Sequence, residues 1–263
     1  MQRSRPVSTA AIVTHGRVDV DEASARVRTV ADRAGVKLVD DPREAEIVVA
    51  LGGDGTMLRT LAQLLGSNVP VIGVNFGRVG FLASIWPDDL ERNLERVFAG
   101  EYVVVELSTL EVRLNGGRHV AVNDVVATSS TLGRMVELAW AVGGEDLGTV
   151  ACDGMICSTP TGSTAYNLSN GGPVLVRGLD AMAVTFIAPH SLHVRPLVVP
   201  RGLEVTVRNA TRDVAVSLLV DGHRVSEIPP DGEVGVHLCD ERSLLATLPE
   251  TTFFSRYRET FAS

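Results

Sequence analysis

Three glycines surround one acidic residue directly after an apolar run near residue 50. Residues 47–56 read I-V-V-A-L-G-G-D-G-T, and Asp54 is the acid. Glycine lets backbone N–H groups turn toward an anion, so this loop is expected to hold phosphate. Its glycine spacing fits neither the Walker A loop nor the G-x-G-x-x-G fingerprint. The residues expected to contact phosphate are Gly52, Gly53, Gly55 and Thr56.

The carboxylate of Asp54 would repel a phosphate unless it serves a different reactant. In a phosphoryl transfer, a carboxylate can accept the proton of the attacking alcohol and can help position a magnesium ion on the phosphates. We therefore interpret Asp54 as a catalytic residue. The alternative is that Asp54 closes an Asx-turn between glycines and has no chemical role.

A second stretch, residues 151–176, is dense in small hydroxyl and amide side chains. Such groups suit a ligand that carries ribose hydroxyls, ring nitrogens and amides, because each of these needs a directional partner. The alternative is a Ser/Thr-rich loop that caps a β-domain.

Both stretches resemble motifs of known kinases. The G-G-D-G-T loop is similar to loops of NAD kinases and of diacylglycerol-type lipid kinases, with a related loop in phosphofructokinases. Residues 153–166, D-G-M-I-C-S-T-P-T-G-S-T-A-Y, resemble the signature segment of NAD kinases. The other similar segments are N-x-G-x-x-G-F-L at 75–82, the dipeptide Asn123-Asp124, and A-P-H-S-L-H-V-R-P-L-V-V-P at 188–200. The similarity runs from about residue 45 to the C-terminus, and the segments occur in the family's order.

The resemblance implies an enzyme that transfers phosphate from ATP to the 2′-hydroxyl of the adenosine ribose of NAD, with Mg²⁺ carried by the nucleotide. Asp54 would be the general base. The NAD-binding residues that the resemblance implies are Asp54, Gly55, Phe81, Asn123, Asp124, Asp153, Thr161, Thr164, Ala165, Tyr166 and Ser169. The family more often has Glu at the position of Asp124, so this side chain reaches one methylene less far. The sequence does not separate ATP from polyphosphate as donor, or NAD from NADH as acceptor.

The first hundred residues alternate between strand-like and helix-like segments, which predicts a parallel sheet with helices on its faces. The G-G-D-G-T loop would then lie at the carboxyl end of a strand, where open α/β sheets bind ligands. The predicted strands are 7–14, 46–51 and 69–75, and the predicted helices are 20–34 (ending at Gly35), 56–65 and 88–98.

After residue 101 the pattern favours an all-β domain, with turn residues between short apolar runs. The runs are 102–114, 119–127, 134–142, 182–188, 203–209, 214–220 and 234–238. Asp221-Gly222 is interpreted as a turn. A helical apolar stripe at 253–261 predicts a C-terminal helix that packs back on the first domain. We therefore predict an α/β domain (1–101, with 247–263 returning to it) and a β-rich NAD-binding domain (102–246).

The formal net charge of −8 disfavours a nucleic-acid surface and a polybasic membrane patch. Three cysteines without a C-x-x-C pair favour reduced, buried thiols. With no long apolar segment, we expect a cytoplasmic protein. The resemblance implies a homodimer or homotetramer. His190 and His193 are expected to lie on opposite faces of a strand, which favours structural roles over metal binding.

Two other functions fit parts of this sequence. A diacylglycerol-type lipid kinase would share the G-G-D-G-T loop, but it would want apolar or basic surface for membrane contact. A non-catalytic NAD(P) sensor would share the hydroxyl-rich pocket, but it gains nothing from an acid beside an anion.

Overall fold

The computed structural model describes residues 5–14, 19–76, 80–114 and 116–262 of the chain. The chain forms two compact units, Met1–Glu106 with Arg242–Ser263, and Leu107–Glu241. We predicted that the first unit comprises residues 1–101 and 247–263. Each of its two boundaries with the second unit is shifted by five residues, to 106 and 242, because strands near 103 and 243 pair within its sheet.

The first unit is built on a six-stranded sheet, as the alternating sequence pattern predicted. Its strands are β1 (Thr9–Thr14), β2 (Lys37–Leu38), β3 (Ile47–Gly52), β4 (Val71–Asn75), β5 (Val103–Leu107) and β18 (Ser243–Thr247). The order is β2-β1-β3-β4-β18-β5, and the pairs from β2 to β18 are parallel. All residues of β3 except Gly52, and all of β4, are buried, as expected of parallel strands covered on both faces.

In the described part of this unit, the helices that accompany the sheet are α1 (Asp19–Ala34), α2 (Asp54–Gln63), α3 (Leu90–Phe98) and α5 (Phe253–Phe261). Helix α1 ends at Gly35, which takes a φ of +68° as the predicted stop requires. Helix α2 begins at Asp54 rather than at Thr56, because Gly53 is the extended N-cap and an acid suits the positive helix N-terminus. A 3-10 turn at Pro87–Asp89 precedes α3, so the predicted helix 88–98 begins two residues late.

The C-terminal helix α5 packs on the first unit, as predicted. The ring centroid of Phe253, on this helix, lies 6.3 Å from the ring centroid of Phe81. Thr252 and Ser255 form a reciprocal capping box that fixes where the helix begins.

The second unit consists of two antiparallel six-stranded sheets, which confirms the all-β prediction. One has the order β10-β9-β14-β17-β6-β7 and the other β13-β12-β11-β8-β15-β16. The strands are β6 (Leu110–Leu114), β7 (Gly117–Ala121), β8 (Asp124–Ser129), β9 (Val136–Val142), β10 (Glu145–Cys152), β11 (Gly154–Ser158), β12 (Ala181–Ile187), β13 (Leu197–Pro200), β14 (Val205–Asn209), β15 (Val216–Val220), β16 (His223–Ile228) and β17 (Glu233–Leu238). A single apolar core, which includes Leu138 of one sheet and Met155 of the other, lies between them.

Two predicted strand runs each divide into two strands. The run 102–114 separates into β5 and β6, and the run 119–127 separates into β7 and β8 of different sheets. The second division falls at Val122-Asn123, where the chain turns into the other sheet. Strands β2, β10, β11, β13, β16 and β18 were not predicted.

The predicted strand character around the two histidines is wrong. His190 and His193 lie in a loop, and β13 begins only at Leu197. Pro189 and Pro196 flank this loop, and proline cannot donate to a strand ladder.

The three cysteines are unpaired and buried, as predicted. No helix in the described part of the chain is long and apolar enough to cross a membrane.

Candidate functional site

The G-G-D-G-T loop connects the end of β3 to the start of α2. The N–H groups of Thr56 and Met57 donate to the carbonyl of Gly53, which closes the first helical turn. The preceding N–H groups belong to a helix N-terminus, which favours anions. Thr56 is buried under the loop, and a Cβ added at Gly52 would lie 2.2 Å from its Oγ1. Glycine is therefore required at 52 by close packing.

The carboxylate of Asp54 is held by the loop that follows β4. Its Oδ2 accepts a hydrogen bond from the N–H of Phe81 (3.1 Å), and its Oδ1 accepts one from the N–H of Leu82 (3.4 Å). A Cβ added at Gly80 would lie 2.3 Å from Oδ1. Each carboxylate oxygen keeps a lone pair for a substrate hydroxyl.

Strand pairing explains why this loop reaches Asp54. Strands β3 and β4 are adjacent and parallel, so their carboxyl ends share one edge of the sheet. After β4 the chain returns, and Ile85 forms a bridge with Val74. Gly77 of the N-x-G-x-x-G-F-L segment lies outside the described residues.

In the second unit, three segments meet where strand β8 begins and its neighbours β11 and β15 end. Asp124 pairs with Ser158 on one side, and Val125 pairs with Val220 on the other. The hydroxyl of Thr159 donates to the carbonyl of Val122 at 2.6 Å. The structure thus brings the Asn123-Asp124 dipeptide into contact with the hydroxyl-rich signature segment.

Close packing ties these two segments together at Gly162. A Cβ added there would lie 2.2 Å from the carbonyl oxygen of Asn123. The N–H of Thr159 donates to the same carbonyl at 2.9 Å. The backbone of the dipeptide is therefore fixed by the loop after β11.

The hydroxyl and amide groups of the signature segment divide into two sets. Ser163 and Asn167 are fully buried, and the Asn167 amide bonds the carbonyls of Ser163 and Pro173 while accepting from Thr185. These groups hold the loop in shape. The predicted NAD-binding residues are less uniform: Thr161 is buried, Thr164 and Ala165 are half-buried, and Tyr166 and Ser169 of the short helix α4 (Tyr166–Ser169) are exposed.

Asn123 and Asp124 carry polar atoms that the protein leaves available. The Oδ1 atom of Asn123 is buried and has no hydrogen-bond partner among the residues that the structure describes. Asp124 is 6% exposed, and burial raises the pKa of its carboxyl to about 7, with the nearby charge of Asp221 acting in the same direction. A buried acceptor without a donor is costly, so a ligand hydroxyl would relieve it.

Asp221 has a structural role in this region that the sequence did not predict. Its carboxylate accepts the N–H groups of Val122 (2.9 Å), Asn123 (2.7 Å) and Asp124 (3.1 Å). Its own N–H donates to the carbonyl of Asp124 at 3.0 Å, and its φ is +46°. In the sequence, Asp221-Gly222 indicates only a turn, because the three donors lie about a hundred residues earlier in the chain.

Replacing Asp221 by alanine is expected to destabilise the second unit by about 3 kcal/mol or more, since three backbone N–H groups lose their acceptor and each unsatisfied buried donor costs about 1–3 kcal/mol. Thermal unfolding measures this loss. Asp221→Asn keeps one acceptor oxygen, so its loss should be smaller. An unchanged unfolding temperature in Asp221→Ala would contradict the role of this carboxylate.

The raised pKa of Asp124 predicts a pH-dependent stability. The carboxyl titrates near 3.8 when unfolded and near 7 when folded, so the folded state binds more protons in between. The free energy of unfolding should therefore fall as the pH rises from about 4 to about 7. Asp124→Asn removes this titration, and it should be more stable than the parent by a few kcal/mol at pH 8 and by little at pH 4. Equal differences at both pH values would contradict the prediction.

Asp153 lies away from the other predicted NAD-binding residues of the second unit. It is exposed and directly precedes β11, whose first residue pairs with Thr128 and whose last pairs with Asp124. The length of β11 puts roughly 13 Å between its two ends. The structure therefore does not bring Asp153 to the edge where Asp124 lies. Phe81, in the first unit, has its ring against Phe253 and Phe261 of α5.

In the described ranges, no group of three or more His, Cys, Asp or Glu side chains is placed to hold a metal ion. A metal that arrives with a nucleotide needs fewer protein ligands, because phosphates and water fill most of its positions.

Comparison with known protein families gives two matches. The model of the ATP-NAD kinase N-terminal domain matches residues 15–102, and that of the ATP-NAD kinase C-terminal domain matches residues 122–248.

Curated relatives agree with these matches. The NAD kinase of Heliobacterium modesticaldum is 38% identical over 239 residues, which cover 89% of this chain and 84% of the relative. The NAD kinase of Gemmatimonas aurantiaca is 38% identical over 225 residues, which cover 83% and 77%.

Solved structures share the fold. Yeast NADH kinase complexed with NADH superposes with a TM-score of 0.84 at 21% identity, covering 98% of this chain and 88% of that one. The NAD kinase from Archaeoglobus fulgidus in complex with ATP gives a TM-score of 0.78 at 25% identity, covering 95% and 98%.

Proposed function

The chain belongs to the NAD kinase family, and from this membership we propose that it transfers the terminal phosphoryl group of ATP to the 2′-hydroxyl of the adenosine ribose of NAD, giving ADP and NADP. The observation that carries the proposal is the Asp54 carboxylate, held by two N–H groups beside a glycine-rich helix N-terminus. The carboxylate acts on the ribose hydroxyl, and the N–H groups of the helix N-terminus bind the phosphates.

Asp54 accepts the proton of the ribose 2′-hydroxyl as the hydroxyl oxygen attacks the terminal phosphorus of ATP and the bond from that phosphorus to ADP breaks. The transfer is direct and in line, without a covalent enzyme intermediate. The contacts from Phe81 and Leu82 fix the carboxylate in advance, so little orientation has to be gained during the reaction. The backbone N–H groups at Gly52, Gly53 and Gly55 support the phosphates.

Asn123 and Asp124 hold the adenosine ribose in this proposal. The unpartnered Oδ1 of Asn123 accepts a hydrogen bond from a ribose hydroxyl. The Asp124 carboxyl is buried and makes no side-chain hydrogen bond to the part of the chain that the structure describes, so it is open to a ligand. The exposed ring of Tyr166 offers a face for stacking, and Thr161, Thr164, Ala165 and Ser169 are proposed to line the pocket.

Magnesium fits the donors that the glycine loop offers. The loop carries one carboxylate, Asp54, and Mg²⁺ is commonly bound by one or two carboxylates together with substrate phosphates. Asp54 would therefore contact an ion that ATP brings. When bound, the ion neutralises charge on the phosphates.

The two alternatives lose support from specific observations. A lipid kinase does not need the buried, unpartnered amide oxygen of Asn123, which suits a ligand that carries hydroxyl groups. A sensor without activity does not need a carboxylate fixed beside the phosphate loop, as Asp54 is.

We also propose a cytoplasmic homo-oligomer. Three unpaired, buried cysteines suit a reducing compartment. The family resemblance supports a dimer or tetramer, which light scattering of the purified chain would test.

The activity test uses the purified chain with ATP, Mg²⁺ and NAD, and measures NADP with an NADP-specific dehydrogenase. Parallel reactions replace ATP by polyphosphate, NAD by NADH, and NAD by diacylglycerol in vesicles. We expect NADP from ATP and NAD. Phosphorylated lipid in place of NADP would favour the lipid kinase, and NAD binding without any product would favour the sensor.

A further inference from the structure

The ring of Phe81 connects the Asp54 loop to the C-terminal helix. Its N–H donates to the Asp54 carboxylate, while its ring lies 5.9 Å from the ring of Phe261 and 6.3 Å from that of Phe253. Tyr257 joins the same cluster, 5.0 Å from Phe261. A single residue therefore contacts both the acid and helix α5.

A second contact from α5 fixes the same loop two residues further on. The guanidinium of Arg256 donates to the carbonyl of Ala83 at 2.9 Å, and the side chain of Arg256 is only 7% exposed. The same guanidinium lies 5.9 Å from the ring centroid of Trp86. A buried cation that bonds a backbone carbonyl is costly to displace, so this contact holds the loop firmly.

The Asp54 carboxylate is coupled directly to the backbone of residues 80–82. Its two oxygens are bonded to consecutive N–H groups, at Phe81 and Leu82, and Gly80 packs directly on it. A shift of the 80–83 backbone therefore moves or releases the carboxylate.

We propose that helix α5 positions the catalytic carboxylate: through the Phe81 ring and the Ala83 carbonyl it fixes the backbone whose N–H groups orient Asp54. The inference rests on the proposed role of Asp54. Phe253, Arg256 and Phe261 are positioning residues, which act through the loop and do not touch substrate.

A structural role of α5 alone makes a different prediction. If the helix only covers apolar surface, removing a ring lowers the unfolding temperature but leaves the turnover of the folded enzyme unchanged. If the helix positions Asp54, kcat falls by a larger factor than the KM for NAD rises, because the proposed ribose-binding residues Asn123 and Asp124 are in the other unit.

The experiment measures kcat, the KM for NAD and the unfolding temperature of Phe253→Ala and Phe261→Ala, assayed well below their unfolding temperatures. We expect kcat to fall about tenfold, because even a 1 Å misplacement can cost about 10²-fold. Phe253→Leu keeps an apolar side chain in place and should restore most of the activity. Arg258→Ala, exposed on the same helix, is the matched control and should match the parent. Folded Phe253→Ala and Phe261→Ala variants with normal kcat would overturn the proposal.

A double-mutant cycle separates this inference from the proposed function. In an Asp54→Asn background, Phe261→Ala should cause no further loss of kcat, because the group that it positions is already gone. Full additivity of the two losses would overturn the positioning role while leaving the kinase assignment intact. A parent chain that makes no NADP would instead refute the proposed function.

Discussion

Asp54→Asn is expected to lower kcat for NADP formation by about 10²–10⁴-fold, the usual contribution of a general base. The amide has nearly the same shape as the carboxylate but cannot take a proton from the ribose hydroxyl. Its one oxygen can still accept from Phe81 or Leu82, so the loop should keep its place. NAD binding, measured by calorimetry, should change by less than about threefold, because the contact that is lost forms in the transition state.

The control for this variant is Asp32→Asn, which changes an exposed acid on α1 of the same unit. Its kcat and its affinity for NAD should match those of the parent chain. Turnover of Asp54→Asn within threefold of the parent would remove the proton-accepting role from Asp54.

Gly80→Ala is expected to lower kcat by about 10²-fold or more, although residue 80 makes no chemical contribution of its own. The added Cβ would lie 2.3 to 2.5 Å from the Oδ1, Cγ and Oδ2 atoms of Asp54. The carboxylate must therefore move, and a misplacement of about 1 Å can cost about 10²-fold in rate. Steady-state kinetics with saturating ATP measure the loss.

Thermal unfolding of Gly80→Ala shows whether the loss arises from the site or from the fold. We expect a folded variant with low kcat and a nearly normal KM for NAD. Gly117→Ala, where the added atom meets only the flexible side chain of His119 and a carbonyl, should keep full activity. A Gly80→Ala variant with normal kcat would contradict the position assigned to the Asp54 carboxylate.

The sequence pattern predicted the local elements of the first unit well. Helix α1 and its end at Gly35, strand β3, and helix α5 over 253–261 follow from apolar spacing and helix stop signals. Such signals act within a few residues. The early start of α2 was missed because Asp54 was assigned to a loop, whereas its charge also suits the first position of a helix.

The second unit was less predictable because its strands are defined by partners far away in the chain. Strand β10 is exposed along its first five residues, so its sequence does not alternate as a half-buried strand would. The apolar run 119–127 looks continuous, yet it crosses from one sheet to the other at Asn123. The Asp221 carboxylate, the packing of Gly162 and the hydrogen bonds of Thr159 hold the chain at that crossing, and none of them is visible in the local sequence.

The sequence indicated which residue types could bind a ligand, but not how the fold brings them together. The density of hydroxyl and amide groups in 158–170 indicated a polar ligand, yet Ser163 and Asn167 are fully buried and bond to neighbouring backbone carbonyls. Their role could not be seen without the fold. The role of Asp221 could not be predicted for the same reason, since the backbone N–H groups that its carboxylate accepts are about a hundred residues away and form no local sequence motif with it.

The most direct test is a crystal structure of the chain with NAD and a non-hydrolysable ATP analogue. A general-base role of Asp54 predicts that an oxygen of its carboxylate lies within about 2.6–3.2 Å of the 2′-oxygen of the adenosine ribose. A carboxylate that points away from the ribose, too far to reach this hydroxyl even through one water molecule, would contradict it.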